Sequence, residues 1–311
     1  MSKISIIQVS YKNFETTTEP CLKSLFACEE FDDLEIVLVD NVSGVETLSK
    51  IHNLISGKNN IKLIENSKNR GFPGGANDAI DHTTGEIVFF LDIDTIVPSG
   101  MLRKLADHLA ANPNWIVGPV TNQTGSEQKI FTQSNDPEKI IEEGLEWTKH
   151  ATGSKFQVKQ LDFCCIGMTR KTLETIGKLE EGFGLGYYED TDFCHRAGKL
   201  GFELIMIEDA FIYHKGGGTN LSSKEKMRQS RDFFLNKHKL DGKTSLLRQR
   251  DLNLEVINQI LEKIIDHTTK DLYCINNRLQ LADSLYPKNI FKKIIYYNKI
   301  KRIKKILISL K

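Results

Sequence analysis

Asp92 and Asp94 end the apolar run Val88-Phe-Phe-Leu91, with Ile93 between them. In an extended chain residues two apart point to the same side, so the two carboxylates converge. Like charges that share a buried site repel and need a compensating cation. Oxygen donors suit a hard divalent ion such as Mg2+ or Mn2+. Taken alone, Asp-x-Asp also fits a helix cap or a solvated turn.

Three other segments carry chemistry. Glu189-Asp190-Thr-Asp192 places three carboxylates in four residues after Gly184-Leu-Gly-Tyr-Tyr188. A helix start there favours negative charge, and Asp192 stands i,i+4 to Arg196, close enough to pair. Glu189 and Asp190 are left over, and a carboxylate there can serve as general base for an incoming hydroxyl. Asn69-Arg-Gly-Phe-Pro-Gly-Gly-Ala-Asn77 is a glycine-rich turn opening into a helix, a geometry that lets backbone N–H groups approach phosphate. It matches neither Gly-x-Gly-x-x-Gly nor the P-loop pattern. His214 ends an apolar segment and precedes Gly216-Gly-Gly218; such a histidine is either structural or a ligand beside a mobile loop.

The elements that must position these residues follow from hydrophobic patterning. Apolar runs at 4–9, 34–39, 61–64 and 87–91 read as buried strands, and 115–120, 160–168 and 203–213 as later ones. Helical spacing occupies 16–28, 45–56, 75–82, 101–111, 192–200 and 224–237. Alternation of strand and helix predicts a layered α/β domain, whose ligands sit beyond the carboxyl ends of the strands. Strand signals stop near Leu240, which divides the chain into residues 1–240 and a helical region 241–311, strongly periodic over 252–265.

The 311 residues hold 42 Lys plus Arg against 41 Asp plus Glu. A formal charge of +1 argues against nucleic acid as a partner. Eight Lys and Arg302 fall in 288–311, which has no acidic residue, so the rest of the chain carries −8. The six cysteines form no Cys-x-x-Cys pair and read as buried thiols rather than a disulfide framework. No signal peptide is recognisable, and no apolar run nears the roughly 20 residues of a membrane span, which predicts a cytoplasmic protein.

Over Lys3–Thr219 these features resemble glycosyltransferase family 2. Six parts occur in the family's order: Val9-Ser10-Tyr11, Val39-Asp40-Asn41, the Asn69–Asn77 turn, Asp92-Ile-Asp94, Glu189-Asp190 and His214. The resemblance implies a GT-A fold: a Rossmann-like mixed sheet flanked by helices, here with a C-terminal helical extension. It implies that the main chain at Val9, Ser10 and Tyr11, with Asp40, holds a nucleoside, and that Asn69, Gly71 and Asn77 wall the base and ribose. Asp92 and Ile93 would contact ribose or metal, while Asp94 and His214 would be ligands of Mn2+ or Mg2+, with Asp92. Asp190 would be the base of a single inverting displacement, Glu189 orienting it or the acceptor. The glycines after His214 would let a lid close. The absence of Gln-x-x-Arg-Trp and of membrane spans favours transfer of one sugar, of hexosyl or rhamnosyl type, from a UDP- or dTDP-linked donor. The acceptor would be a glycan, a lipid-linked saccharide or a protein.

Two alternatives stand beside this. A sugar nucleotidyltransferase would carry a Gly-rich, basic signature where this chain has Val9-Ser-Tyr-Lys-Asn-Phe14. An inactive binding subunit would not need every catalytic position filled. The tail places Tyr296, Ile300, Ile303, Leu307 and Leu310 on one helical stripe among basic residues. That pattern suits an anionic membrane surface, hence peripheral attachment at the inner face of the cell membrane, or packing on the acidic body or a partner.

Overall fold

A computed structural model of the chain describes residues 3–216, 224–240 and 271–284, and single positions at 297, 298, 301, 305 and 308. The expected helix at 252–265 and the apolar stripe of the tail lie outside the described residues, as do Gly217 and Gly218. In chain order the elements are β1 (Ile4–Ser10), α1 (Thr18–Phe26), β2 (Leu34–Asp40), α2 (Val45–Ile55), β3 (Ile61–Glu65), α3 (Gly71–Ile80), β4 (Ile87–Leu91) and β5 (Thr95–Ile96). Then come α4 (Met101–Ala111), β6 (Trp115–Thr121), α5 (Pro137–His150), β7 (Lys155–Gln157), β8 (Cys165–Thr169) and α6 (Arg170–Ile176). Next are α7 (Glu189–Lys199), β9 (Glu203–His214), α8 (Lys224–His238) and α9 (Leu272–Ser284).

One mixed sheet runs β3-β2-β1-β4-β8-β6-β9, with β7 and β5 both paired to the outer side of β9. The first four strands are parallel; β8 runs antiparallel to β4 and β6. Every residue of β1 and of β4 is buried, as a strand covered on both faces requires. Alternation divides them. Ile7, Val9, Val88 and Phe90 meet α3, α5, α6 and α7 on one face, and Ile4, Ile6, Phe89 and Leu91 meet α1 and α4 on the other.

Three of the boundaries that differ from the sequence reading bear on the site. The strand expected over 160–168 is paired only from Cys165, because 160–164 spends its backbone and side-chain bonds on neighbouring loops. Helix α7 starts at Glu189 rather than 192, since Tyr188 at φ 70° turns the chain into it. Helix α3 starts at Gly71, so the glycine-rich segment forms its first turns. Among the described residues no helix is long and apolar enough to cross a membrane.

Glu35 ties β2 to the start of β1 and the turn before β4. Its carboxylate accepts from Ser5, from Lys3 at 3.1 Å and from both the N–H and hydroxyl of Thr84. Burial opposes ionisation, but these donors outweigh it and lower the acid to about 2. An acid depressed in the fold stabilises above its ordinary value near 4.5, and the gain disappears as pH falls toward about 2. Glu35→Gln is therefore expected to lower the denaturant midpoint at pH 7, with a deficit that shrinks between pH 4.5 and 2. A deficit independent of pH would contradict this.

Candidate active site

The carboxyl ends of the parallel strands carry the polar residues. Register places Ser10 opposite Asp40 on adjacent β1 and β2. Asp40 is 3% exposed; its Oδ2 accepts from Ser43 N at 3.1 Å, while Oδ1 is buried with no hydrogen-bond partner. Ser10 Oγ meets Thr18 Oγ1 at 2.9 Å, and Tyr11 lies under Lys12 Nζ, 5.0 Å from the ring centre. Val9 packs against Gly75 of α3, so the nucleoside candidates on β1 and the glycine-rich helix form adjoining walls.

That helix is braced by amides. Asn41 Nδ2 donates to Asn69 Oδ1 at 3.1 Å and to the Gly71 carbonyl at 2.9 Å, and its Oδ1 accepts from Arg70 N at 3.0 Å. Gly71 has φ +68°, and a Cβ there would lie 2.0 Å from the Gly184 carbonyl oxygen. The turn thus abuts the loop that leads to Glu189. Asn77 does not face the same way as Asn69. Its amide receives Leu179 N at 2.9 Å and donates to the Leu179 carbonyl at 3.0 Å, which clamps α3 to the 179–181 segment. Gly71→Ala is expected to cost more than about 1–2 kcal/mol, from the left-handed backbone plus the clash. Urea denaturation measures the loss, and an unchanged midpoint refutes it.

Asp92, Asp94 and His214 come together, with ligand atoms all within 4.8 Å of one another. Three devices assemble them. β5 pairs with the end of β9 so that Thr95 faces His214, and Lys215 N donates to the Asp94 carbonyl at 3.0 Å. Asn122 brackets the His214 backbone, donating to its carbonyl and accepting its N–H, each at 2.9 Å. His214 Nδ1 meets the Gln123 carbonyl at 2.7 Å, which makes Nδ1 the protonated nitrogen and presents Nε2, 3.3 Å from Asp94 Oδ1. Burial and then the Asp94 charge push Asp92 well above the usual carboxylate range. Burial opposes charge on His214, but the Asp94 hydrogen bond and the acidic neighbours raise it to about 10. Two carboxylates and one oriented imidazole, crowded so that one proton or cation must be shared, form a donor set that fits Mn2+ or Mg2+.

Glu189 and Asp190 open α7. Glu189 Oε2 is buried with no hydrogen-bond partner, and burial, then Asp190, raise its acid strongly. Asp190 Oδ1 accepts from Thr191 N at 2.6 Å and Thr191 Oγ1 at 3.2 Å, and Oδ2 from Gln160 at 3.3 Å. Burial first, and the Asp162 charge next, raise Asp190 to about 6. Asp192 is fully buried and structural: it pairs with Arg196 at 2.8 Å, as its spacing predicts, and also with Lys237 at 2.8 Å and His238 at 2.7 Å of α8.

Asp162 was not anticipated. It adjoins both halves of the site: its carboxylate lies within 4.8 Å of a His214 ring nitrogen, and it is the strongest charged neighbour of Asp190. An acid inside Leu161-Asp-Phe-Cys-Cys is the same signal that marked Asp92, an ionisable side chain in an apolar run. Close to the acids in sequence is an aromatic cluster. Phe163 stacks on Phe90 at 5.1 Å and meets Phe193 at 5.6 Å and Phe72 at 6.1 Å. Each ring is one to four residues from a site residue: Gly71, Asp92, Asp162, Glu189 or Asp190.

The model for Glycosyl transferase family 2 matches residues 5–177, more than half of the chain. This chain belongs to glycosyl transferase family 2. A family 2 likeness recurs in the GalNAc(5)-diNAcBac-PP-undecaprenol beta-1,3-glucosyltransferase of Campylobacter jejuni, 35% identical over 106 residues, 34% of each chain. The chain spans about a third or less of the first curated relatives it matches. Among solved structures, mannosyltransferase PcManGT from Pyrobaculum calidifontis, in complex with GDP-Man and Mn2+, is similar at TM-score 0.58 and 17% identity. That match covers 99% of this chain and 87% of the other. GalNAc-T7 with UDP, GalNAc and Mn2+ is similar at TM-score 0.57 and 12% identity, over 86% and 58%. The fold of this family 2 chain is thus the GT-A fold that its residue pattern implied.

Proposed function

We propose that the chain is an inverting glycosyltransferase. It moves one sugar from a nucleotide-diphosphate donor, UDP- or dTDP-linked, to a hydroxyl of a glycan, lipid-linked or protein acceptor, with hexosyl or rhamnosyl transfer as the reaction type. The observation that carries this is the adjacency of a three-ligand cluster, Asp92, Asp94 and His214, to a separately hydrogen-bonded carboxylate, Asp190. Asp94 and His214, with Asp92, would hold a divalent ion, Mn2+ or Mg2+. When bound, that ion supplies neutralisation of the diphosphate leaving group.

The protein's own residues do the rest. Asp190, raised toward neutrality, takes the acceptor hydroxyl's proton as its oxygen attacks the anomeric carbon from the opposite face. The unpartnered Glu189 Oε2 is available to orient the acceptor. The unpartnered Asp40 Oδ1 awaits a donor such as a base N–H, beside the main chain of Val9–Tyr11. Asn69 and Gly71 shape the adjoining wall, with Asn77 fixing it from behind, and Ile93 holds the two acids apart on the core. Both solved neighbours hold a nucleotide and Mn2+, which agrees with this reading.

A thermal-shift screen of nucleotide sugars with and without Mn2+ tests it, because a bound ligand raises apparent stability by mass action. Stabilisation by one nucleotide class, larger with Mn2+, is expected; no shift with any nucleotide sinks the reading. We further place the enzyme in the cytoplasm, peripheral at the inner face of the membrane through residues 288–311, with 241–311 as a helical extension of the 1–240 domain. Removing 288–311 is expected to release the protein from anionic vesicles in a pelleting assay. Unchanged pelleting refutes the attachment.

A further inference from the structure

His214 belongs to two sets of converging ligands. The second is Asp162, Cys164 and His214, again with ligand atoms all within 4.8 Å of one another. We propose that these three residues form an alternative metal site that takes Zn2+, and that its occupation excludes the ion from Asp92, Asp94 and His214.

The donors differ in kind. The Asp92–Asp94 set offers oxygen and one imidazole, whereas the second set replaces a carboxylate by a thiol. Thiolate and imidazole select Zn2+ over Mn2+, and at a given nitrogen, oxygen and sulfur site Zn2+ binds more tightly than Mn2+. Tetrahedral zinc, with bonds of about 2.0–2.3 Å, places its ligand atoms roughly 3.3–3.8 Å apart, so a set already within 4.8 Å needs to contract by about 1 Å.

The surrounding groups hold these ligands in place. Cys164 N donates to Asp162 Oδ1 at 3.0 Å, and Thr124 Oγ1 donates to Oδ2 at 2.6 Å. Asp162 N donates to Gln128 Oε1 at 2.6 Å. The neighbouring Gln123 carbonyl fixes His214 Nδ1, so consecutive residues orient one ligand each. Metal-binding side chains require such outer partners for affinity. The support is itself anchored: Asn277 exchanges two hydrogen bonds with Phe131, and Arg278 donates to the Lys129 carbonyl at 2.5 Å. Thus α9 holds the loop that carries Gln123, Thr124 and Gln128.

Cys164 is fully buried, which removes it from disulfide exchange. Zinc binding replaces the S–H bond by S–Zn and releases that proton to solvent. With Nδ1–H committed to Gln123, His214 must also give up its Nε2 proton to solvent before a metal can bind, and it then offers one lone pair, on Nε2. It cannot serve both sets at once. Zinc entry through Cys164 therefore switches off the Asp92–Asp94–His214 ion site. The exclusion rests on the proposed role of Asp94 and His214; zinc binding at Cys164 does not.

The experiment uses the full chain after chelator treatment. Cd2+ and Co2+ report a thiolate ligand by an ultraviolet charge-transfer band, and calorimetry gives Zn2+ affinity. The wild-type protein is expected to show the band with one equivalent of ion. Cys164→Ser and Cys164→Ala are expected to lose it, to bind Zn2+ at least about 10-fold more weakly, and to keep Mn2+ affinity within about twofold. Electron paramagnetic resonance is expected to show Zn2+ releasing bound Mn2+ from wild type. Absence of the band in wild type overturns the site whether or not either variant folds. A band that survives in both Cys164 variants, or in Asp162→Asn at unchanged Zn2+ affinity, also overturns it. Simultaneous binding of Zn2+ and Mn2+ overturns the exclusion alone. A protein that binds Zn2+ through Cys164 but no nucleotide sugar keeps the site and loses the transferase reading.

Discussion

Asp190→Asn is expected to lower kcat by about 10²–10⁴-fold, the range for removing a general base, while nucleotide affinity stays within about twofold. Asparagine keeps the volume and still accepts from Thr191 N, and Gln160 can turn its carbonyl toward the new amide. What is lost is the basic oxygen. Stability should not fall, because Asp190 is charged at a cost in this half-buried position and the substitution removes that cost. The acid is raised to about 6, first by burial and then by Asp162. A base works only without its proton, so wild-type kcat should rise with pH through about 6 and level above it. The residual activity of the variant should lack that limb. Steady-state kinetics over pH 5–8 with parallel calorimetry checks both halves. Equal loss of binding and rate, or an acid limb that persists in the variant, would remove Asp190 from the role of base.

Local signals account for what could be read in advance. Asp92 and Asp94 stand out because an apolar run ends in paired charge, and the Asp192–Arg196 pair because its spacing is one helical turn. The fold class was legible for the same reason: β1, β2 and β4 are almost wholly buried and rich in Ile, Val, Leu and Phe. The rest depends on contacts far apart in sequence. Gln123 orients His214 across 91 residues, and Asn277 holds Phe131 across 146. Neither Gln123 nor Asn277 has a residue type or neighbourhood that marks it. Asp192 shows both sides of this: Arg196 was readable, whereas Lys237 and His238 reach it from a helix whose docking no local pattern encodes. Asn77 shows a further kind of dependence. Its residue type suited a polar wall, but burial to 4% exposure and two bonds to Leu179 turn it into a brace. Asp162 lay within reach of the rule that found Asp92, but a strand assigned over 160–168 concealed it.

His214→Ala should weaken Mn2+ by more than about 100-fold, since losing only an outer partner of a metal ligand typically costs 10–100-fold. The imidazole is the one nitrogen donor beside two carboxylates, and the chain invests heavily in its placement. Asn122 holds its backbone on both sides, Gln123 its Nδ1, and the β5–β9 pairing its distance from Asp94. Removing the ring also strips Asp92 and Asp94 of the positive partner that relieves their repulsion. The vacated carboxylates should then hold a shared proton at neutral pH, which competes with any ion. Asp94→Asn should lose Mn2+ to a similar extent, whereas Asp40→Asn, on the neighbouring strands, should weaken nucleotide and leave Mn2+ alone. Calorimetric titration of Mn2+ into the three variants separates these outcomes, with activity restored by excess Mn2+ as a second reading. If His214→Ala binds Mn2+ as wild type does, the imidazole is a structural cap on β9, and the ion, if one is used, is held by the carboxylates without it.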